Sequence, residues 1–269
     1  MLEIDYEDLS TDFLKTINNK MLKIRFNRES FYFKLSIKKE SDKLVVHSNG
    51  AVNWEKNTPP VQMRSSWGRD INAHCLFIDD KTIHESKINT GWGAGRKERF
   101  FLEDYSTISM KIQSLLGVND EDVLYWGSSA GGFMSIILAS MHKSSSAVVN
   151  NPQTLLKNHY SSKVNKMYEA VFPGLSSEEI ENKYPERISV VSAMKQYGNI
   201  PKIYYFQNNK YEFDLENHYY AFIDEVNKQC INDKDFLYVL YNDSDLGHAP
   251  LPKDQTLQYL EIVLNLKQL

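Results

Sequence analysis

The stretch that most constrains this chain is Val123-Leu-Tyr-Trp-Gly-Ser-Ser-Ala-Gly-Gly-Phe133. A β-branched and aromatic run, Val123 to Trp126, meets a glycine-flanked serine. An apolar segment of helical character, Phe133 to Met141, follows at once. Strand, tight turn and helix in that order make a G-x-S-x-G nucleophile elbow. Gly127 and Gly131 stand two residues either side of Ser129, whereas Ser128 would have Trp126 and Ala130 in those places. The register therefore makes Ser129 the candidate nucleophile. The glycines have a physical task. The serine needs a strained backbone, and strand and helix must pass close together with no Cβ between them. The helix also turns its free N–H groups toward any developing oxyanion. A bare match arises by chance in Gly/Ser-rich loops, but here both flanks have the required character.

A serine is a weak nucleophile unless a base takes its proton. The base is usually a histidine oriented by a carboxylate. In the chain order serine, acid, histidine, the last two lie in loops after the final strands. Of the seven histidines, only His218 and His248 follow a plausible acid loop, and His218 falls on a predicted helix, Glu216 to Cys230. His248 lies between the last predicted strand, Phe236 to Leu240, and the last predicted helix, Gln255 to Leu266. Gly247 before it lets the chain turn, so His248 is the candidate base. Asp214, in the polar loop after Ile203–Phe206, is favoured as the acid, with Glu212 the neighbour that could replace it. Asp243 and Asp245 read as cap or turn residues. The oxyanion donors expected are the N–H of Ala130 and one near Gly50. The latter lies in the small-residue turn His47-Ser-Asn-Gly-Ala51 that follows the buried run Leu44–Val46. An ordinary turn fits those residues equally well.

The remaining elements surround this site. Leu22–Phe26 and Phe31–Ile37 form a hairpin signal, and residues 1–19 read as a short helix or a loose arm. Cys75–Ile78 is a core strand. Asp104–Leu116 is an amphipathic helix capped by Gly117. Ala147–Val149 completes a parallel βαβ unit with the elbow strand and its helix. Gly91-Trp-Gly-Ala-Gly95 lacks the Lys-Ser/Thr ending of a P-loop. It reads as a flexible loop at the strand ends, with Trp92 a substrate platform or simply a surface residue. Arg64-Ser-Ser-Trp-Gly-Arg69 either lines a pocket or lies on the surface. Residues 154–199 break the rhythm with several helical pieces and scattered apolar residues. That is the place for a lid over the site, although a plain packing excursion fits too. The expectation is one α/β domain over 1–269, with a mixed, mostly parallel sheet flanked by helices and a helical insertion over 154–199.

Composition excludes several classes. A net charge of −4 gives no electrostatic reason to expect nucleic acid or an anionic membrane. No apolar run approaches the roughly 20 residues that span a bilayer, and the acidic start MLEIDYEDLSTDF lacks the features of a signal peptide. Cys75 and Cys230 fit no metal spacing and are expected to be buried thiols of a cytoplasmic protein. No HExxH, CxxC or Asp/His cluster appears, so no metal is expected. Oligomeric state stays open, a homodimer included.

Trp126-Gly-Ser-Ser-Ala-Gly-Gly132, then Val149-Asn-Asn-Pro-Gln153, the Asp214 loop and Gly247-His248 form a motif series spanning roughly residues 120–260. In this series the chain resembles a family of bacterial α/β-hydrolase-fold proteins of capsule and surface-glycan biosynthesis, capsule O-acetyltransferases among them. The resemblance implies acyl transfer from acetyl-CoA to a sugar hydroxyl, with Ser129, His248 and Asp214 in the triad roles. Two departures stand out: Ala130 occupies the place of an expected lysine, and the acid loop is longer and carries Glu212. Transfer to a glycan and hydrolysis of an ester both remain open. The rival from another class is a non-catalytic hydrolase-like subunit of a glycan-assembly or secretion complex.

Overall fold

The strands of the computed structural model, which describes residues 1–266, follow the apolar runs of the sequence. They are β1 (Leu2–Asp5), β2 (Lys20–Phe26), β3 (Glu29–Ser36), β4 (Leu44–His47), β5 (His74–Ile78), β6 (Val123–Ser128), β7 (Ser146–Asn150), β8 (Lys202–Asn208) and β9 (Phe236–Tyr241). All nine join in one sheet, in the order β1-β2-β3-β5-β4-β6-β7-β8-β9. From β5 to β9 every pairing is parallel; β3 runs antiparallel to both β2 and β5. The sheet is therefore mixed and mostly parallel. The last three positions of the domain expected over 1–269 lie outside the described residues.

The helices are α1 (Thr11–Thr16), α2 (Thr82–Ser86), α3 (Phe101–Leu116), α4 (Ala130–Met141), α5 (Ser161–Val171), α6 (Ser177–Lys183), α7 (Val190–Tyr197), α8 (Glu212–Asp214), α9 (Tyr220–Lys228) and α10 (Lys253–Asn265). Alternation along each strand sends neighbouring side chains to opposite faces. In β6, Val123 and Tyr125 enter the larger core, which also buries Ile108 and Ile112 of α3 and Phe133 and Ile137 of α4. Leu124 and Trp126 enter the smaller core, closed by Leu260, Val263 and Leu264 of α10. Burial on both faces explains why the central strands are continuous apolar runs. Helix α3 ends where Gly117 adopts φ 73°, the left-handed C-terminal cap that glycine supplies without strain.

Three local expectations are corrected. Of the two readings of residues 1–19 the short helix forms, as α1, but the loose arm does not: β1 adds a parallel strand to the sheet edge, with Leu2 and Ile4 opposite Leu22 and Ile24. Arg25 clamps it by donating to Asp5 with two nitrogens, at 2.6 and 2.7 Å. The Gly91–Gly95 segment is buried rather than a surface loop, because Gly91 and Gly95 donate backbone N–H groups to Asp80 and Thr82. Cys75 is buried, which pushes its thiol up to about 12. Cys230 is exposed, since the chain turns through φ 51° there just beyond α9 and leaves the packed face.

Candidate active site

Strand β6 ends at Ser128 and α4 begins at Ala130, so Ser129 makes the turn alone. Its backbone stands at φ 56° and ψ −126°, a conformation that costs a non-glycine residue of order 1–3 kcal/mol. Close packing holds it there. A Cβ on Gly127 would overlap the carbonyl of Gly131, and one on Gly131 would overlap the carbonyl of Ser48. Ser129 is half-buried while Ser128 and Ala130 are buried, so the one reachable hydroxyl of the turn belongs to Ser129.

The structure brings Ser129, His248 and Asp214 into one chain of hydrogen bonds. The Ser129 hydroxyl donates to His248 Nε2 at 2.8 Å, and His248 Nδ1 donates to Asp214 Oδ2 at 2.5 Å. The carboxylate on one nitrogen sets the tautomer and leaves the other nitrogen free to accept. Asp214 is only 1% exposed. Burial pushes its carboxyl above the ordinary range, and the hydrogen bond from His248 offsets part of that. Glu212 is exposed. Asp243 accepts the N–H groups of Asp245 and Leu246 at 3.0 Å, a turn that closes on itself.

Carboxamides at the ends of β7 and β8 hold the His248 loop. Asn208 donates to the carbonyls of Asp243 and Gly247 at 2.7 and 2.9 Å. Asn151 donates to those of His248 and Ala249 at 3.2 and 3.1 Å. Asn150 accepts the N–H of Leu251 at 2.7 Å. These bonds occupy loop backbone groups, and they aim the imidazole at the elbow.

A second group of residues meets Ser129 from the other side. Gln153 donates its amide to Ser129 Oγ at 3.1 Å and lies 3.3 Å from His159 Nε2. Its oxygen accepts the indole N–H of Trp92 at 2.5 Å. Trp92 is fully buried and so is a strut for Gln153, not a platform for substrate. His159 Nδ1 lies 3.3 Å from His218 Nε2. Burial pushes His159 down to about 4 and His218 down to about 3, so both are neutral at ordinary pH. At the mouth, exposed Tyr160 stacks on Phe213 at 4.2 Å and shares a hydrogen bond with Tyr211 at 3.0 Å.

Of the expected oxyanion donors, Ala130 is the first residue of α4, where an N–H has no acceptor within the helix. Gly50 lies against the elbow: a Cβ there would come 3.6 Å from the carbonyl oxygen of Ser128. The loop is tied down by Ser48, whose N–H donates to the carbonyl of Trp126 at 2.9 Å. Asn49 adds bonds to Val61 and Met63. Beside it opens a groove lined by Ala51, Trp54, Glu55, Lys87, Asn89 and Lys163. Among the described residues, no cluster of three or more His, Cys, Asp or Glu could hold a metal ion. No described helix is long and apolar enough to cross a membrane.

Sequence reasoning did not place Gln153, His159 or the strut role of Trp92 at this site. One signal was present. Strand β7 pairs in parallel with β6, Asn150 opposite Ser128, so whatever follows Asn150 must leave the sheet beside the elbow.

No protein-family profile matches the chain, and no curated protein matches it in sequence. Solved structures do. The capsule O-acetyltransferase of Neisseria meningitidis serogroup A, as a histidine-to-alanine mutant in complex with CoA, superimposes with a TM-score of 0.67 at 18% identity, covering 94% of this chain and 99% of that one. A putative carboxylesterase from Lactobacillus plantarum superimposes with a TM-score of 0.62 at 10% identity, covering 93% and 96%. A fluorophosphonate-binding serine hydrolase of Staphylococcus aureus gives 0.57 at 12%, covering 91% and 98%. Similarity along nearly the whole length of three separate proteins, with the strand order and the elbow described above, establishes that this chain has the α/β-hydrolase fold.

Proposed function

We propose that this protein is a serine-nucleophile acyl-transfer enzyme, an O-acetyltransferase or esterase acting on a bacterial capsular or surface polysaccharide. The observation that carries the reading is the hydrogen-bonded chain Ser129–His248–Asp214 at 2.8 and 2.5 Å on a strained elbow. Ser129 attacks an ester or thioester carbonyl while His248 takes its proton, and Asp214 stabilises the imidazolium that forms. The N–H of Ala130 and one near Gly50 bind the oxyanion. Gln153 donates to Ser129 Oγ from the side opposite His248, which leaves the hydroxyl hydrogen pointing at the base. Collapse of the intermediate expels the alcohol or thiol, protonated by His248. A sugar hydroxyl or water then takes the acyl group by the same steps in reverse. Segment 154–199, which brings His159 and Tyr160 beside the site just ahead of helices α5 to α7, serves as the lid of a single domain.

The CoA complex of the structurally similar O-acetyltransferase supports acetyl-CoA as acyl donor on the transferase reading. The half-exposed Ser129 suits a thioester delivered on a slender arm, and that donor would place the enzyme in the cytoplasm. A non-catalytic scaffold is the other reading, and a reachable Ser129 with its hydroxyl on an imidazole speaks against it. The test is labelling by a fluorophosphonate probe together with turnover of an aryl acetate. Ser129→Ala is expected to abolish both, and Ser128→Ala to retain most of the labelling. Labelling at Ser128 would overturn the assignment of the nucleophile, and no labelling of the native protein would overturn the catalytic reading.

A further inference from the structure

The groove beside the Gly50 loop plays no part in the chemistry at Ser129. It is open, has a volume of about 930 Å³ and is lined by Ala51, Trp54, Glu55, Lys87, Asn89 and Lys163. That size lies near the upper end of the range for small-molecule sites. One wall is firmly built. Asn89 donates its amide to the carbonyl of Val52 at 2.8 Å, and its own carbonyl accepts the N–H of Val52 at 2.7 Å. The indole N–H of Trp54 donates to the carbonyl of Ile88 at 2.9 Å. With its one polar atom satisfied, half-buried Trp54 offers the groove only aromatic surface.

The lining is cationic. Lys87 and Lys163 are exposed and pair with no carboxylate among the described residues. Lys81 and Lys157, a little earlier in the same two segments, meet Glu29 and Glu181 at 3.0 and 3.6 Å. Glu55 is the one acid of the lining, and it is exposed and paired with neither lysine. Lys163 stands in the first turn of α5, which carries no acidic residue and has no side-chain cap. A helix N-terminus disfavours a cation and favours an anion, so the local field adds to the lysines. An anion answers both, and a planar ring suits the indole.

Position selects which part of a ligand lies here. Ala51 follows Gly50, which lies against the elbow. Lys163 donates its N–H to the carbonyl of Tyr160 at 2.8 Å, and Tyr160 stands at the mouth. Burial, and then the charges of His248 and Lys163, hold His159 down to about 4, so the Lys163 ammonium is within electrostatic reach of the reacting centre. The groove flanks that centre, yet no triad residue lines it. A group bound there is joined to the reacting carbonyl by an arm. The pantetheine of CoA is such an arm, and it ends in phosphates and adenine. An acidic group on the sugar ring that carries the attacking hydroxyl stays beside the reacting atoms instead.

We infer that this groove holds the phosphate-and-adenine end of a CoA thioester, with Lys87 and Lys163 on the phosphates and Trp54 against the base. This rests on the acyl-transfer reading of Ser129.

The experiment measures equilibrium binding of CoA, pantetheine and an oligogalacturonate to the full chain, native and with Lys87→Gln, Lys163→Gln, both together, Glu55→Gln or Trp54→Ala. CoA is expected to bind the native protein at least about 10-fold tighter than pantetheine. Each lysine variant should weaken CoA by about 2- to 5-fold, the worth of an exposed ion pair, and the double variant by about the product. Trp54→Ala should weaken it by about 5- to 100-fold, the worth of a base stacked on an aromatic ring. Glu55→Gln should tighten it by about 2-fold, because a like charge leaves. A general structural defect does not produce opposite signs at neighbouring exposed positions. If Trp54→Ala does not fold, the three charge variants carry the test. Equal binding of CoA and pantetheine to the native protein overturns the subsite, and so does an undiminished preference in the double lysine variant. Weakened oligogalacturonate binding with CoA unchanged in that variant assigns the groove to an acidic acceptor and overturns it too. Fluorophosphonate labelling is followed in parallel. Absence of labelling with an intact CoA preference refutes the catalytic reading and not the subsite, while labelling without that preference refutes the subsite alone.

Discussion

Two imidazoles approach Ser129, and they differ in what stands behind them. On one side His248 touches the hydroxyl directly, with Asp214 on its other nitrogen. On the other side Gln153 lies between Ser129 and His159, and His159 is backed by a second imidazole, His218. Both arrays are relays of similar length. Only the first can accept a proton at low cost, because a buried carboxylate stabilises an imidazolium. A buried imidazole cannot, and the second pair is held neutral by burial. The lesson is that proximity to a serine does not make a histidine a base; the charge on the far side of the ring does. The second array instead provides fixed dipoles and neutral hydrogen-bonding groups around the nucleophile.

The largest expected effect breaks the first array. Asp214→Asn keeps the shape but lets an amide hold the imidazole in the wrong tautomer, and kcat on an aryl acetate should fall by up to about 10⁴-fold with KM little changed. Glu212→Gln, at an exposed position, should leave kcat unaltered. Reversed results would make Glu212 the acid. Next comes the contrast between the imidazoles themselves. His248→Gln should approach the loss of the Ser129 variant, while His159→Gln should cost under about 10-fold, the worth of a neutral hydrogen bond. Equal losses at the two sites would abolish the distinction. Gln153→Ala should lower kcat by about 5- to 10-fold through loss of one neutral bond to the nucleophile. A steady-state assay that found kcat unchanged would remove Gln153 from the reacting centre.

The smallest effect is on stability. His218 and His159 have folded-state values of about 3 and about 4, below the 6.5 of an unperturbed imidazole. In that window the unfolded chain binds more protons than the folded one. Their contribution is therefore complete above 6.5 and is lost as pH falls toward the folded values. His218→Gln should flatten the drop in urea midpoint between about pH 7 and about pH 5. Parallel curves for native protein and variant would mean that His218 is not held neutral.

Much of the scaffold is legible in the sequence. The Leu22–Phe26 and Phe31–Ile37 runs became β2 and β3, joined by Asn27 and Arg28 with φ 49° and 67°, because hairpin turns are encoded by adjacent residues. The motif series pointed to the α/β-hydrolase fold, which this chain shares with a solved capsule O-acetyltransferase. Strand β1 was not legible. Its alternation is only four residues long, and its partner β2 begins fifteen residues beyond its end.

The elbow was determined by sequence alone, because two glycines and one serine act through their own backbone and their immediate neighbours. Which residues gather around Ser129 was decided only by the tertiary structure. His248 lies 119 positions away in the chain, and Arg64 binds the adjacent Ser128 from 64 positions away. Trp92 read as a substrate platform or a surface residue, and the fold instead buries it against Gln153. Local backbone preferences act over a few residues, whereas proximity across the ends of parallel strands depends on strand order and register, which no short window contains.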